Sequence, residues 1–272
     1  MPRRAARATL ALALIAFAVY LATHVVAPRF LTHFEHSPEL ASLPKRTIDG
    51  DGRAADPINV AVVGSRAELL TAMRLSGWLV ADSLTRKTKV AIARSVLLNR
   101  PDSTAPVSPL YLLGREEDIA FEREVGSSAR TRHHARFWLA ESSVHDGRPV
   151  WVGDASFDAR AGISHRTLRP THHIAPDIDE ERETLLADLA RVGQLAERFE
   201  ATGMGPRIYA HNAEGDRFDT DGEMDVAVVP LQNARVAAPR VLPPPTAIAV
   251  TDRVWRWMTR AFDAHSTPPH SP

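Results

Sequence analysis

An uncharged apolar run at residues 8–27 constrains this chain of 272 residues more than any other feature of its sequence. The run contains no Asp, Glu, Lys or Arg, and at about 1.5 Å per helical residue its length matches the hydrocarbon core of a bilayer. The basic residues that precede it are Arg3, Arg4 and Arg7. Because basic flanks stay on the cytoplasmic side, we predict one transmembrane helix in the inner (cytoplasmic) membrane. The N-terminus is expected in the cytoplasm and the rest of the chain outside it.

A cleaved signal peptide is the alternative interpretation of the same run. The pattern of small residues at its end is Val25-Val26-Ala27, and Pro28 follows directly. A proline after the cut site disfavours cleavage, and the run is long for the apolar region of a signal peptide. We therefore favour an anchor that stays attached to the chain.

The overall composition argues against nucleic-acid binding and against cysteine chemistry. Lys plus Arg and Asp plus Glu both total 33, so no net field draws the chain to nucleic acid. The chain has no cysteine, which excludes disulfides, thiolate nucleophiles and cysteine-based zinc sites. The partners that we expect are the membrane and an envelope protein or lipid.

Prolines, glycines and shifts in polarity divide the chain into five stretches. They are residues 1–27 (cytoplasmic tip and anchor), 28–55 (polar spacer), 56–230 (domain), 231–250 (Pro-rich linker) and 251–263 (amphipathic C-terminal helix). The last stretch places Trp255 and Arg256 on opposite helical faces. That pattern suits a helix at a membrane interface and equally a helix docked onto its own domain.

Within the predicted domain, strand signals outnumber helix signals. The runs with strand character are residues 58–63, 110–113, 132–139, 150–157 and 224–229. Helical spacing appears after Ser65, at residues 85–98, and from Asp177 through Phe199. Asp177 and Glu180 have the spacing of a capping box at the start of the last helix. Strands mixed with a few helices predict an α+β domain with a mixed or antiparallel sheet.

Polar and apolar side chains alternate along residues 132–138. With the period of a strand, Arg132, His134 and Arg136 share one face. If this strand forms a hairpin with residues 150–158, Asp154 or Asp158 would meet Arg136 or His134. Two histidines and an acid follow before the last helix. The candidate functional residues are Arg132, His134, Arg136, Asp154, Asp158, His172, His173 and Asp177.

Three interpretations of this cluster fit the sequence. It could be a structural network of ion pairs that joins strand to helix. It could be a divalent metal site, because histidine and carboxylate ligate zinc and manganese, with Asp154 or Asp158 orienting a ligand. The candidate metal ligands are His134, His172, His173 and Asp177. A His-Glu-x-x-His spacing is absent, so the metal signal is weak.

The third interpretation is a pocket for an anion such as a lipid phosphate, since arginine binds phosphate bidentately. Together with the histidines, its basic residues would be Arg132, Arg136, Arg166 and Arg169. A serine hydrolase is not indicated, because no Gly-x-Ser-x-Gly motif surrounds Ser65 or Ser156.

Several motifs resemble the LssY-like C-terminal domain, in similar order and spacing over residues 56–230. They are Asp56-Pro57-Ile58-Asn59-Val60, Gly77-Trp78, Ser108-Pro109-Leu110-Tyr111-Leu112-Leu113-Gly114-Arg115, Phe121-Glu122, Arg132-x-His134-x-Arg136-Phe137-Trp138, Trp151-Val152-Gly153 with Asp158, and Thr171-His172-His173-Ile174 with Asp177-Ile178-Asp179-x-x-Arg182. The resemblance implies a bacterial, membrane-associated protein whose family has no assigned activity.

In longer members of that family, the domain follows membrane segments similar to DedA proteins or to type-2 phosphatidic acid phosphatases. The resemblance therefore implies work on lipids or lipid-linked phosphates in the envelope. The three sequence motifs of those phosphatases are absent from this chain, so their activity does not carry over. We expect a membrane-anchored binding or accessory module for a protein partner or anionic lipid headgroup. The alternative is a metal-dependent hydrolase acting on a phosphate-containing or lipid-linked substrate.

Overall fold

The computed structural model describes residues 36–81, 109–126, 131–163, 170–202 and 208–250, together with Arg253 and parts of residues 10–21. The chain forms two compact units. One consists of Met1–Pro38 with Pro244–Pro272, and the other is Glu39–Pro243. The second unit contains the predicted domain.

Strands of two to sixteen residues and a few helices make up the second unit. The helices numbered here are Pro38–Ala41 (α1), Arg66–Leu75 (α2) and Ile178–Arg191 (α3), with a 3-10 turn at Leu231–Asn233. Further helical residues lie within 10–21 and at 246–250. The strands are Arg46–Ile48 (β1), Ala54–Pro57 (β2), Val60–Val63 (β3), Leu79–Val80 (β4), Tyr111–Leu112 (β5), Arg115–Glu116 (β6), Ile119–Glu124 (β7), Arg132–His145 (β8), Arg148–Ile163 (β9), Pro170–Ile174 (β10), Glu197–Thr202 (β11), Ile208–His211 (β12), Arg217–Thr220 (β13), Glu223–Val228 (β14) and Arg240–Val241 (β15).

A mixed sheet of nine strands organises the second unit, and this confirms the predicted α+β class. Its order is β15-β11-β14-β3-β9-β8-β7-β4, and β10 pairs with the second half of β9. The pairs β14–β3 and β11–β15 are parallel, and the remaining pairs are antiparallel. A small sheet has the order β2-β1-β5-β6, and β12 pairs with β13 alone.

The two helices that follow strong capping signals cover one face of the large sheet. The Ser65 hydroxyl accepts from the Glu68 amide while the Glu68 carboxylate accepts from the Ser65 amide, so α2 begins with a full capping box. At the start of α3 the Asp177 carboxylate accepts the amides of Asp179 and Glu180, which is the N-cap half of the predicted capping box. The buried residues of both helices join one apolar cluster with Phe121, Phe137 and Trp151 of the sheet.

The opposite face of the sheet carries a second apolar cluster. Trp138 and Val152 pack there with Leu110, Leu112 and Ala55 of the small sheet. Leu40, Thr47 and Ala55 are buried, so the second half of the predicted spacer at residues 28–55 is folded onto the domain. At the other end, β15 joins the sheet within the predicted linker of residues 231–250.

The last helix is shorter than its apolar stripe predicts, and this is a correction. It ends at Arg191, and Gly193 then adopts a left-handed conformation with a φ of 75°. The Gly193 amide donates to the Ala190 carbonyl at 2.9 Å, which turns the chain out of the helix. Phe199, which helical spacing assigns to the stripe, lies in β11 and is buried in the second cluster. This segment forms a strand and not a continuation of the helix, because β14 offers it backbone hydrogen-bond partners along its whole length.

Several predictions concern residues outside the described part. The helices predicted at 85–98 and 251–263 lie there, apart from Arg253. Most of the predicted anchor lies there too. Where residues 10–21 are described, they are helical, and no helix among the described residues is long and apolar enough to cross a membrane.

The side chain of Asn59 joins β3, β9 and the start of α3. It lies beside the part of β9 between its two pairing partners: β9 stops pairing with β3 at Gly153 and begins to pair with β10 at Asp158. Its Nδ2 donates to the carbonyl oxygens of Ala155 at 2.9 Å and Ile178 at 3.2 Å, and its Oδ1 accepts from the Ala155 amide at 2.8 Å. The buried side-chain amide of Asn59 thus supplies the hydrogen bonds that the backbone of β9 would otherwise lack between its two pairing partners.

We predict that Asn59→Ala lowers the free energy of unfolding by about 3 kcal/mol, because it leaves buried backbone groups of Ala155 and Ile178 without a hydrogen-bond partner. Urea unfolding of the full chain in detergent, followed by tryptophan fluorescence, measures the loss. The control is Ser42→Ala, an exposed polar-to-alanine change expected to cost a few tenths of a kcal/mol, about the scale of surface substitutions. Equal effects of the two changes would contradict the joining role of Asn59.

Candidate functional site

The register of the β8–β9 pair assembles the predicted polar cluster. Arg132 lies opposite Asp158, and Arg136 lies opposite Asp154. The Arg136 Nη1 is 3.2 Å from Asp154 Oδ1, and the His134 Nε2 is 2.8 Å from Asp158 Oδ1. The hairpin predicted from the two alternating strands, with its ion pairs, is therefore confirmed.

A carboxylate on the neighbouring strand β7 extends the cluster. The Arg132 guanidinium contacts Glu122 Oε2 at 2.7 Å and Asp158 Oδ2 at 3.1 Å, which links three strands. We call the buried set the polar ladder; its members are Glu122, Arg132, His134, Arg136, Asp154, Ser156 and Asp158. Sequence reasoning omitted Glu122 from the candidates. The sequence does carry a signal for Glu122: Ile119 and Phe121 alternate with Ala120 and Glu122, which marks a strand with Glu122 on the face opposite Phe121.

The two neighbouring histidines of β10 contact different parts of the protein. The His172 Nδ1 lies 3.7 Å from Asp158 Oδ2, at the edge of the polar ladder. The His173 Nδ1 lies 2.7 Å from Asp216 Oδ1, because adjacent residues of a strand point to opposite faces. Asp177 is occupied as the N-cap of α3. The structure therefore does not bring the four candidate metal ligands together.

Neither a metal site nor an anion pocket emerges from this geometry. In the described residues, no group of three or more His, Asp or Glu side chains could hold a metal ion. The guanidinium groups of Arg132 and Arg136 already contact carboxylates, including Asp56, whose Oδ2 is 3.9 Å from Arg136 Nη1. Arg166 and Arg169 lie outside the described residues. Ladder carboxylates outnumber arginines, so charge disfavours an anionic ligand.

Burial and neighbouring charges set the protonation of the polar ladder. Burial raises the pKa of Asp154 to about 7, because Arg136 offsets only part of it and the carboxylates of Asp56 and Glu117 add repulsion. Burial also lowers the pKa of His134, although Asp158 opposes this effect. For Asp158, burial is outweighed by His134, His172 and Arg132, so its pKa falls below the usual range.

The other buried ion pairs also join secondary-structure elements. The His133 Nδ1 contacts Glu181 Oε2 at 2.7 Å and so ties β8 to α3 on the helical face. The Arg182 guanidinium of α3 contacts Asp225 of β14 at 2.8 Å and Asp221 at 2.8 Å. These pairs and the polar ladder share one arrangement, in which side chains from different elements contact each other; Asp225 is buried, whereas the Asp221 side chain is 50% exposed.

The comparison with protein families supports the resemblance seen in the sequence. A family model described as LssY C-terminus matches residues 40–224. This chain belongs to that family. The match begins at α1 and ends in β14, so it covers the polar ladder and both helices of the sheet face. Neither the curated proteins nor the solved structures include a significant match to the chain.

We predict that Arg136→Ala lowers the free energy of unfolding by about 3–5 kcal/mol at pH 8, because it leaves Asp154 and Asp56 without their buried counter-charge. The matched control is Arg53→Ala, which breaks an exposed pair with Asp51 and is expected to cost less than about 1 kcal/mol. Chemical denaturation of both variants gives the comparison. A stable, folded Arg136→Ala variant would show that the ladder is not structural.

We also predict a pH-dependent difference between the wild-type chain and Asp154→Asn. The folded chain holds the Asp154 proton more tightly than the unfolded chain, so its contribution to stability is present at low pH and is lost as pH rises towards 7. The free energy of unfolding of the wild type, minus that of the variant, should therefore fall between pH 5 and pH 8. Chemical denaturation of both proteins at pH 5 and at pH 8 measures this difference, and parallel pH profiles of the two proteins would contradict the raised pKa of Asp154.

Proposed function

We propose that this chain is a non-enzymatic binding module, tethered to the inner membrane by residues 8–27, whose α+β domain binds a protein partner outside the cytoplasm. The observation that carries the proposal is the closure of the polar ladder. Its side chains are buried, and its arginines and histidine contact its carboxylates, so the residues that most resemble an active site serve a structural role.

Closure argues against the hydrolase alternative. A catalytic site needs a concave opening where substrate reaches the reacting groups. Asp154 and Ser156 are each 1% exposed and Asp158 is 2% exposed, so bulk solvent barely reaches them. A concave groove lies instead between α2 and β4, on the helical face of the sheet, whereas the polar ladder lies on the other face. The lipid-headgroup alternative weakens for a related reason, because the arginines of the ladder are neutralised by carboxylates.

Apolar exposure supports the tether. The helical residues described within 10–21 leave large apolar side chains open; Leu10 is 61% exposed and Phe17 is 62% exposed. Burying such a side chain is worth roughly 1.5–3 kcal/mol, so a run of them favours a lipid environment. The arginines that precede the run favour a cytoplasmic N-terminus.

The absence of native cysteine permits a direct test of the tether and its topology. We expect the full chain to stay with membranes after alkaline carbonate washing. A single Ser42→Cys substitution, at an exposed position, should react with a membrane-impermeant maleimide in spheroplasts. An Ala5→Cys variant should react only after permeabilisation. The opposite labelling pattern, or release by carbonate, would overturn the proposed topology or tether.

The non-enzymatic part of the proposal has its own assay. The purified full chain in detergent should release no phosphate from phosphatidic acid or p-nitrophenyl phosphate, with zinc or manganese present or absent. Arg136→Ala serves as the background control. Phosphate release by the wild-type chain, lost in Asp158→Asn, would restore the hydrolase alternative.

A further inference from the structure

A shallow apolar groove lies between α2 and the edge strand β4. Its lining includes Leu70, Thr71, Arg74, Trp78, Leu79 and Val80, and we call it the Trp78 groove. Val80 lies opposite Phe121, so its side chain is on the helical face beside the groove, where it is 50% exposed; Leu79 lies opposite Glu122 and its side chain points to the other face. An apolar groove with an exposed apolar rim marks an interaction surface more often than scattered apolar side chains do.

Positive charge surrounds the Trp78 groove. The Arg123 guanidinium carbon stands 5.5 Å from the centre of the Trp78 ring, and the Arg191 side chain donates to the Ser76 carbonyl. One carboxylate, Asp188, contacts both of these arginines, at 3.1 Å and 3.2 Å, and also accepts the Trp78 indole N–H. Arg74 is exposed and makes no ion pair with the described part of the chain. Glu181 is a second carboxylate close enough to Arg123 and Asp188 to interact with their charges. Three guanidinium groups at or beside the groove are therefore set against two carboxylates, which leaves an excess of positive charge.

The groove also adjoins an open edge of the sheet. The strand β4 pairs with β7 on one side and is the last strand in the sheet order, so among the described residues no strand covers its other side. An open edge presents backbone donors and acceptors that an incoming polypeptide can pair with, while neighbouring pockets select its side chains.

We propose that the Trp78 groove and the open edge of β4 form the docking site for an acidic, apolar polypeptide segment of another protein. This inference rests on the proposed function as a binding module and names the surface and the chemistry of the partner. Apolar side chains of the segment fill the groove, and its carboxylates meet Arg74 and the excess charge of Arg123 and Arg191.

Charge and shape select this occupant over two others. Residues 82–108 of the chain itself follow β4 directly, but they carry five basic and two acidic residues, so they do not complement the arginines. A bilayer surface is flat and cannot enter a concave groove or pair with a strand edge. An acidic polypeptide satisfies all three features of the surface: the apolar lining, the arginines and the strand edge.

The test is site-specific crosslinking of the full chain in its native host, with photoreactive benzoylphenylalanine in place of Val80. The matched control places the same group at Val241, which is 65% exposed on β15, at the opposite edge of the sheet. We expect position 80 to form an adduct with an acidic, apolar segment of another protein, identified by mass spectrometry. Arg74→Glu should lower its yield about tenfold or more, and Arg74→Lys should keep it. Arg53→Glu, a charge reversal at an exposed position distant in sequence, should leave the yield unchanged.

The remaining outcomes overturn the inference in distinguishable ways. Adducts from position 80 to lipid, to a basic segment, or to residues 82–108 would exclude an acidic partner at this surface. Adducts to another protein from position 241 and none from position 80 would place binding elsewhere and leave the proposed function standing. Absence of protein adducts from both positions would overturn the docking site and count against the binding module itself. A crosslinking yield that Arg74→Glu leaves unchanged would show that the charge of Arg74 does not contribute to binding.

Discussion

The buried amide of Asn59 is the interaction on which the rest of the domain depends. The long strand β9 changes partner part-way along its length, from β3 to β10, and Asn59 supplies the hydrogen bonds that the change would otherwise leave unmade. Its third bond reaches the carbonyl of Ile178 and so positions the start of α3. Because an unmade buried hydrogen bond is costly, this joint holds the helix layer and the sheet in one alignment.

The continuous β9 in turn makes the polar ladder possible. Three positions spaced by two along β8 meet Asp158, Ser156 and Asp154, so opposite charges and polar groups meet in a register that tolerates no slip. A slip of one residue would turn Arg132 and Arg136 towards the apolar cluster of the helical face and away from Asp158 and Asp154. Buried ion pairs add little net stability, but an incorrect register would leave several charges unpaired. The ladder therefore acts chiefly on the choice of strand alignment.

Local patterns predicted some features and missed others for identifiable physical reasons. Alternation along residues 132–138 indicated the hairpin and its facing charges, and the spacing of Asp177 and Glu180 indicated the start of α3. The end of α3 was missed, because Phe199 continues the helical stripe and only the edge of β14 converts that segment into a strand. The role of His173 was missed too, since its partner Asp216 is distant in sequence.

The sequence by itself determined the apolar run at residues 8–27, the α+β class, the family motifs and the identity of the polar residues that would cluster, because periodicity and short-range spacing encode each of these. Only the tertiary structure decided whether the polar ladder is open to solvent or buried and paired. Whether a histidine or carboxylate is an exposed ligand or a buried brace depends on which distant elements cover it and which counter-charges they bring. The same long-range packing leaves Val80 and Arg74 exposed beside the groove for which we propose a docking role, and no local pattern places them together.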